Sequence, residues 1–196
     1  MKKEDFLISV IIPVYNQEVL VKRAIESIPE EAEIIVVNDC STDNTLNTLL
    51  EYKNITILNN EENKGVGYTV NKGLDIAKGK YITFLGSDDF FYEEVNDVIK
   101  QLDETDIVYY NLINNEGMIY ELNQDTKFDY CGSTKFIKRE FIGQTRCPEI
   151  RYAEDQQFYN DLIAKQPTEK FTNIIAKHYN YPRIDSLTNL KQRGVE

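Results

Sequence analysis

Apolar residues along this chain gather into short runs separated by stretches of helical spacing, and the two patterns alternate. Leu7 to Ile12 reads as a first strand, and Val19, Leu20, Ala24, Ile25 and Ile28 then fall on one helical face. Ile34 to Val37 reads as a second, buried strand, after which Ser41 or Thr42 can cap a helix carrying Leu46, Leu49 and Leu50. Ile55 to Leu58 gives a third strand. Val66, Val70, Leu74 and Ala77 give an amphipathic helix ended by Gly79, and Tyr81 to Leu85 gives the fourth strand. Repeated strand–helix alternation needs crossover connections, so this half predicts an α/β architecture: a mostly parallel central sheet flanked by helices.

The second half has another texture. Glu93 to Leu102 predicts a helix and Ile107 to Leu112 a strand, with Asn114-Asn-Glu-Gly117 turning into Met118 to Leu122 as a hairpin. Residues 126–152 show no period. Ala153 to Ala164 is helical through Phe158, Leu162 and Ile163, and Phe171 to Tyr179 predicts a last strand. Beyond Pro182 the apolar period stops, which reads as a C-terminal arm.

At 196 residues the chain suits one core, hence one domain over 1–196. A 41% hydrophobic and 28% charged composition is that of a globular protein. The formal charge of −11 changes the picture more, because it repels phosphate backbones and disfavours a nucleic acid partner. Cys40, Cys131 and Cys147 are odd in number and contain no CxxC pair, so neither a disulfide framework nor a zinc knuckle is expected. The polar Met1-Lys-Lys-Glu-Asp5 start and the early Pro13 suit neither a signal peptide nor a membrane span, and a cytoplasmic location is expected.

Chemistry concentrates at the predicted strand ends. Tyr81-Ile-Thr-Phe-Leu-Gly-Ser-Asp-Asp89 closes on two carboxylates, a hard-oxygen site for Mg²⁺ or Mn²⁺; Asp88 and Asp89 equally suit the cap of the next helix. Pro13-Val-Tyr-Asn16 and Asn38-Asp-Cys-Ser41 end the first two strands. In a parallel sheet these ends face one crevice, so Tyr15, Asp39 and Asp88 can approach one ligand. A ring face for a planar base and a carboxylate for an imide or amide N–H make the crevice nucleotide-shaped. Packing of Tyr15 and helix capping by Asp39 are the alternatives.

Ile8-Ser-Val-Ile-Ile-Pro-Val-Tyr-Asn16, Glu33 to Thr45, Asn63-Lys-Gly65, Asn71-Lys-Gly73 and Ala77 to Asp89, in that order, closely resemble the family 2 glycosyltransferases of GT-A fold. The resemblance weakens over 112–150 and returns at Tyr152-Ala-Glu-Asp-Gln-Gln-Phe158, which is similar to the family's Glu-Asp motif, and at His178 to Thr188. It implies a nucleotide-sugar-binding half (1–90), a smaller acceptor-side half (91–181) and an arm (182–196). The implied activity is inverting transfer of a sugar from a nucleotide diphosphate donor, UDP-sugar preferred, to a glycan or lipid-linked hydroxyl in polysaccharide assembly, assisted by Mn²⁺ or Mg²⁺.

By position, the resemblance gives donor-binding roles to Pro13, Tyr15, Glu18, Asp39, Gly65, Asn71 and Ser87, and the metal to Asp88. Asp155 would be the catalytic base with Glu154 in support. His178, the sole histidine, would be a further metal ligand or a packed ring. Lys135, Lys138 and Arg139 would receive an anionic acceptor such as a lipid diphosphate or form a solvated helix face, and Arg183 would meet donor phosphates. A short C-terminal part would leave an apolar patch for a partner or for peripheral membrane contact; oligomeric state has no sequence signal.

The chain departs from the pattern at Gly86, where the family's Asp-x-Asp signature has its first carboxylate. The alternative is therefore a nucleotide-sugar-binding protein with impaired turnover. A sugar nucleotidyltransferase would carry a Gly-rich, basic loop after the first strand, which Pro13-Val-Tyr-Asn16 is not.

Overall fold

The structure, a computed structural model, describes residues 6–127, 133–150 and 153–181. Cys131, Gly132, Tyr152, Arg183 and the arm after Pro182 lie outside the described residues. The elements run β1 (Ile8–Val14), α1 (Leu20–Glu26), β2 (Glu33–Asn38), α2 (Thr45–Leu49), β3 (Thr56–Asn59), α3 (Val66–Ile76), β4 (Tyr81–Phe84), β5 (Phe90–Phe91), α4 (Val95–Ile99), β6 (Ile107–Asn114), β7 (Ile119–Tyr120), β8 (Lys135–Lys138), α5 (Arg139–Ile142), α6 (Glu154–Ile163) and β9 (Glu169–Tyr179).

One sheet carries them in the order β3-β2-β1-β4-β8-β6-β9-β5, with β7 paired to β6. Strands β3, β2, β1 and β4 are mutually parallel, as alternation with helices requires. Val10 lies between Ile34 and Thr83 in that register, and Ile11 between Ile35 and Phe84. Beyond β4 the sheet becomes mixed: β8 is antiparallel to β4 and β6, β9 parallel to β6, and β5 antiparallel to β9. Parallel pairing therefore describes the first half and not the whole sheet.

Both faces of β1 are buried, and the period of two divides them. Val10, Ile12 and Val14 pack with Val21, Ala24 and Ile25 of α1 and Val95 and Val98 of α4. Ile11 turns to the other face, with Val70 and Leu74 of α3 and Phe158, Tyr159 and Leu162 of α6. Helices thus cover both sides, which is why β1 and β2 read as continuous apolar runs. Among the described residues no helix is long and apolar enough to cross a membrane.

Three expectations are corrected here. Neither Ser41 nor Thr42 caps α2; Asp43 Oδ1 accepts the Thr45 N–H at 3.0 Å, while Ser41 bonds to Asn38. Residues 135–138 are a strand, not a solvated helix face. Lys135 is 2% exposed, Lys138 pairs with Glu104 at 2.7 Å, and Arg139 donates from Nε to the Gly79 carbonyl at 2.9 Å, so these cations already have protein partners. Asp88 and Asp89 precede α4 by several residues and do not cap it.

Candidate active site

The loops after β1 and β2 interlock before any ligand is present. Asn16 donates its N–H to Ser41 Oγ at 2.9 Å and accepts the Thr42 N–H at Oδ1 at 2.8 Å. Gln17 N–H reaches Thr45 Oγ1 at 2.9 Å, and Glu18 Oε2 accepts the Asn44 N–H at 2.9 Å. Tyr15 is left projecting, 45% exposed, beside this lattice. Asp39, buried at the end of β2, accepts from Asn60 Nδ2 at 2.7 Å, Lys64 N–H at 2.9 Å and Gly65 N–H at 2.8 Å. Its carboxylate thereby anchors the loop entering α3. Tyr15, Glu18, Asp39 and Gly65, expected from the sequence on the donor side, are thus held by the loops after β1 and β2 and by the start of α3.

The turn after β4 is built around Gly86. A Cβ at that position would lie 2.9 Å from Asp89 Oδ2 and 3.1 Å from Asp88 Oδ1, so both carboxylates fold back over the glycine. They have different surroundings. Asp89 is buried, pairs with Lys177 of β9 at 2.8 Å and accepts the Asn180 N–H at 2.9 Å. Asp88 is half-buried, and its main-chain oxygen accepts from Arg23 Nη2 at 3.0 Å. Arg23 also lies 4.3 Å over the Phe90 ring, which stacks on His178 at 4.6 Å. Ser87 is buried within the turn.

A cavity of about 170 Å³ opens beside this turn, and its lining includes Pro13, Gly86, Ser133, Glu154 and Asp155. Residues from four distant parts of the chain therefore meet at one place. Glu154 and Asp155 occupy the first turn of α6, where acids are favoured by the helix dipole, and Asp155 Oδ1 accepts the Gln156 N–H at 2.8 Å. The remaining walls are largely apolar, among them Val66, Val70, Phe84 and Phe158. Cys147 is also there; burial, and then the charges of Glu154 and Asp155, push its thiol up to about 12, so it stays protonated and inert.

Three contacts fasten α3 to the segment before α6. Asn71 donates from Nδ2 to the Cys147 carbonyl at 2.8 Å and accepts the Cys147 N–H at 2.9 Å. One turn further along, Asp75 pairs with Arg146 at 2.8 Å. At Gly67 the backbones approach so closely that a Cβ would sit 2.4 Å from the Pro148 carbonyl oxygen and 3.6 Å from Glu154 Cβ. Asn71 thus spends its amide on the chain itself, a different task from the donor contact its motif suggests.

His178 is likewise engaged. Nε2 meets Asn115 Oδ1 at 2.8 Å and Nδ1 meets the Tyr92 hydroxyl at 2.9 Å, leaving no ring nitrogen for a cation. Burial, then the Arg23 charge, lowers its pKa and favours the neutral ring. Among the described residues no three His, Cys, Asp or Glu side chains gather as a metal cage. Mg²⁺-like ions commonly bind through one or two carboxylates plus substrate phosphates, and of the two carboxylates in this turn Asp88 is the less buried while Asp89 pairs with Lys177.

Sequence reasoning missed Ser133, Lys177 and the pairing of Lys177 with Asp89. Nothing local marks Lys177, which stands between Ile174-Ile-Ala176 and His178-Tyr179 at the end of β9, as a buried cation.

The glycosyl transferase family 2 profile matches residues 9–160. A putative teichuronic acid biosynthesis glycosyltransferase of Bacillus subtilis, TuaG, is 30% identical over 81% of this chain and 73% of its own length. The UDP-Glc:alpha-D-GlcNAc-diphosphoundecaprenol beta-1,3-glucosyltransferase WfgD of Escherichia coli is 31% identical over 71% of this chain and 58% of its own. The structure of S. aureus TarS 1–349 in complex with UDP-GlcNAc superposes with a TM-score of 0.79 at 24% identity, over 90% of this chain and 59% of that one. The chain spans 23% of another B. subtilis relative, the minor teichoic acid biosynthesis protein GgaB.

Proposed function

The chain belongs to glycosyl transferase family 2 and has the GT-A fold, and on that basis we propose that it transfers a sugar, with inversion, from a UDP-sugar to a hydroxyl of a glycan or lipid-linked acceptor during cell-surface polysaccharide assembly. The observation that carries this reading is the convergence of Pro13, the Gly86 turn, Glu154 and Asp155 on one cavity. The TarS complexes with UDP and UDP-GlcNAc and the names of TuaG and WfgD support the donor and acceptor classes.

In this mechanism Tyr15 offers its exposed ring to the base. Asp39, ordered by three donors, keeps one lone-pair site, on Oδ2, for a base or ribose N–H or O–H. Asp88, steadied through its carbonyl by Arg23, would hold a Mn²⁺ or Mg²⁺ ion, whose chemistry is to neutralise charge on the departing diphosphate. Across the cavity Asp155 takes the proton of the attacking hydroxyl as the glycosidic bond breaks, while Glu154 orients the acceptor. The apolar walls keep competing water out.

Calorimetric titration of UDP and then GDP, with and without Mn²⁺, tests the reading. UDP binding that needs Mn²⁺, and that Mn²⁺ no longer supports in Asp88→Ala, is the expected result. Preference for GDP would overturn the donor, and metal-independent binding would overturn the role of Asp88. The tight turn at Gly86 favours a second reading, a binder without turnover. Release of UDP from a UDP-sugar separates the two.

A further inference from the structure

Ser133 stands at the cavity wall with an unused donor. Its Oγ accepts from Lys177 Nζ, and its main-chain oxygen accepts from the Tyr110 hydroxyl at 3.2 Å. An ammonium only donates, so the serine hydroxyl is the acceptor in the first contact and its own hydrogen remains to be placed. Among the described residues that hydrogen has no acceptor.

The surroundings narrow what could accept it. Lys177 is 2% exposed and fixed by Asp89, so the Ser133 oxygen is held from behind, on the side away from solvent. In front lies the cavity that also contains Gly86, Glu154 and Asp155. Its apolar walls and the protonated Cys147 thiol offer little competition for an O–H group. Two carboxylates against the single ammonium of Lys135, itself 4.1 Å over the Tyr159 ring, disfavour an anionic group there.

We propose that Ser133 contacts the substrate directly, its hydroxyl donating to an uncharged oxygen of the transferred sugar, either a ring hydroxyl or an acetamido carbonyl. Asp89 and Lys177 are the positioning residues behind it. They aim a neutral donor into a largely apolar cavity and thereby fix which way the sugar faces Asp155. The inference rests on the UDP-sugar reading above.

The test is calorimetry on the wild-type chain and on Ser133→Ala with UDP, UDP-Glc and UDP-GlcNAc, Mn²⁺ present throughout. UDP lacks the sugar, so its affinity should be unchanged, which also shows the variant to be folded. Loss of one hydrogen bond should weaken the sugar nucleotides by roughly three- to tenfold. Weakening of both identifies a hydroxyl as the accepting group, and weakening of UDP-GlcNAc alone identifies the acetamido carbonyl. Unchanged affinity for all three, or a loss for UDP equal to that for the sugar nucleotides, overturns the role of Ser133. A wild-type chain that binds no uridine nucleotide overturns the donor reading itself, and this inference with it.

Discussion

Asp155→Asn is expected to lower turnover by roughly 10²–10⁴-fold, the range over which a positioned general base contributes. The substitution keeps size and shape, and the amide oxygen can still accept the Gln156 N–H that Asp155 Oδ1 accepts now at 2.8 Å. What it removes is the ability to take a proton. Asp155 shares the cavity with the Gly86 turn but belongs to α6, so proton removal and leaving-group stabilisation are assigned to separate elements. UDP affinity should therefore match that of the wild type while UDP release from the sugar nucleotide falls. Wild-type release by Asp155→Asn would end the assignment. Loss of UDP binding in parallel would mean that Asp155 supports the donor site instead.

Lys177→Met should be the most destabilising single change in the site, costing about 3–5 kcal/mol. The side chains of Lys177 and Asp89 are only 2% and 5% exposed, so removing the ammonium leaves a carboxylate in the interior without its counter-charge. Against a total stability of about 5–15 kcal/mol for a typical domain, that loss is large. Lys177→Met combined with Asp89→Asn should recover part of it, since the buried charge is then gone and the Asn180 N–H still has an oxygen to meet. Urea denaturation of the wild type, the single and the double variant measures this. A single variant within 1 kcal/mol of wild type would show that water reaches Asp89 and that the pair is not an internal tie.

The parallel half of the fold was legible because β1, β2 and β4 are largely buried and therefore written as apolar runs, with Val66, Val70 and Leu74 marking the helix before β4. Strand β8 was not. Lys135 and Lys138 bracket Phe136 and Ile137, and charge at both ends of a four-residue segment reads as surface; only the sheet shows Lys135 enclosed over Tyr159. Strand β5 has two residues, too few for any period. Tyr15, Asp39 and Asp88 could be placed at one edge of the sheet from strand ends alone. Asp155 could not, because it reaches the cavity from a helix near the other end of the sequence, and only its resemblance to a known motif singled it out. Ser133 and Lys177 depend on contacts across the sheet that no local pattern encodes.

Asn71, Asp75 and Gly67 together give α3 a mechanical part in the molecule. The helix begins at the loop tied to Asp39 and is lashed along its length to Cys147, Arg146 and Pro148, beside Glu154. It is a strut between the Asp39 end and the acid end of the crevice. Opening the gap between Asp39 and Asp155 would require several of these ties to part together, so the two ends travel as one body. In the transfer proposed above, such a frame would hold the separation of Asp39 and Asp155 fixed while the donor enters and the product leaves.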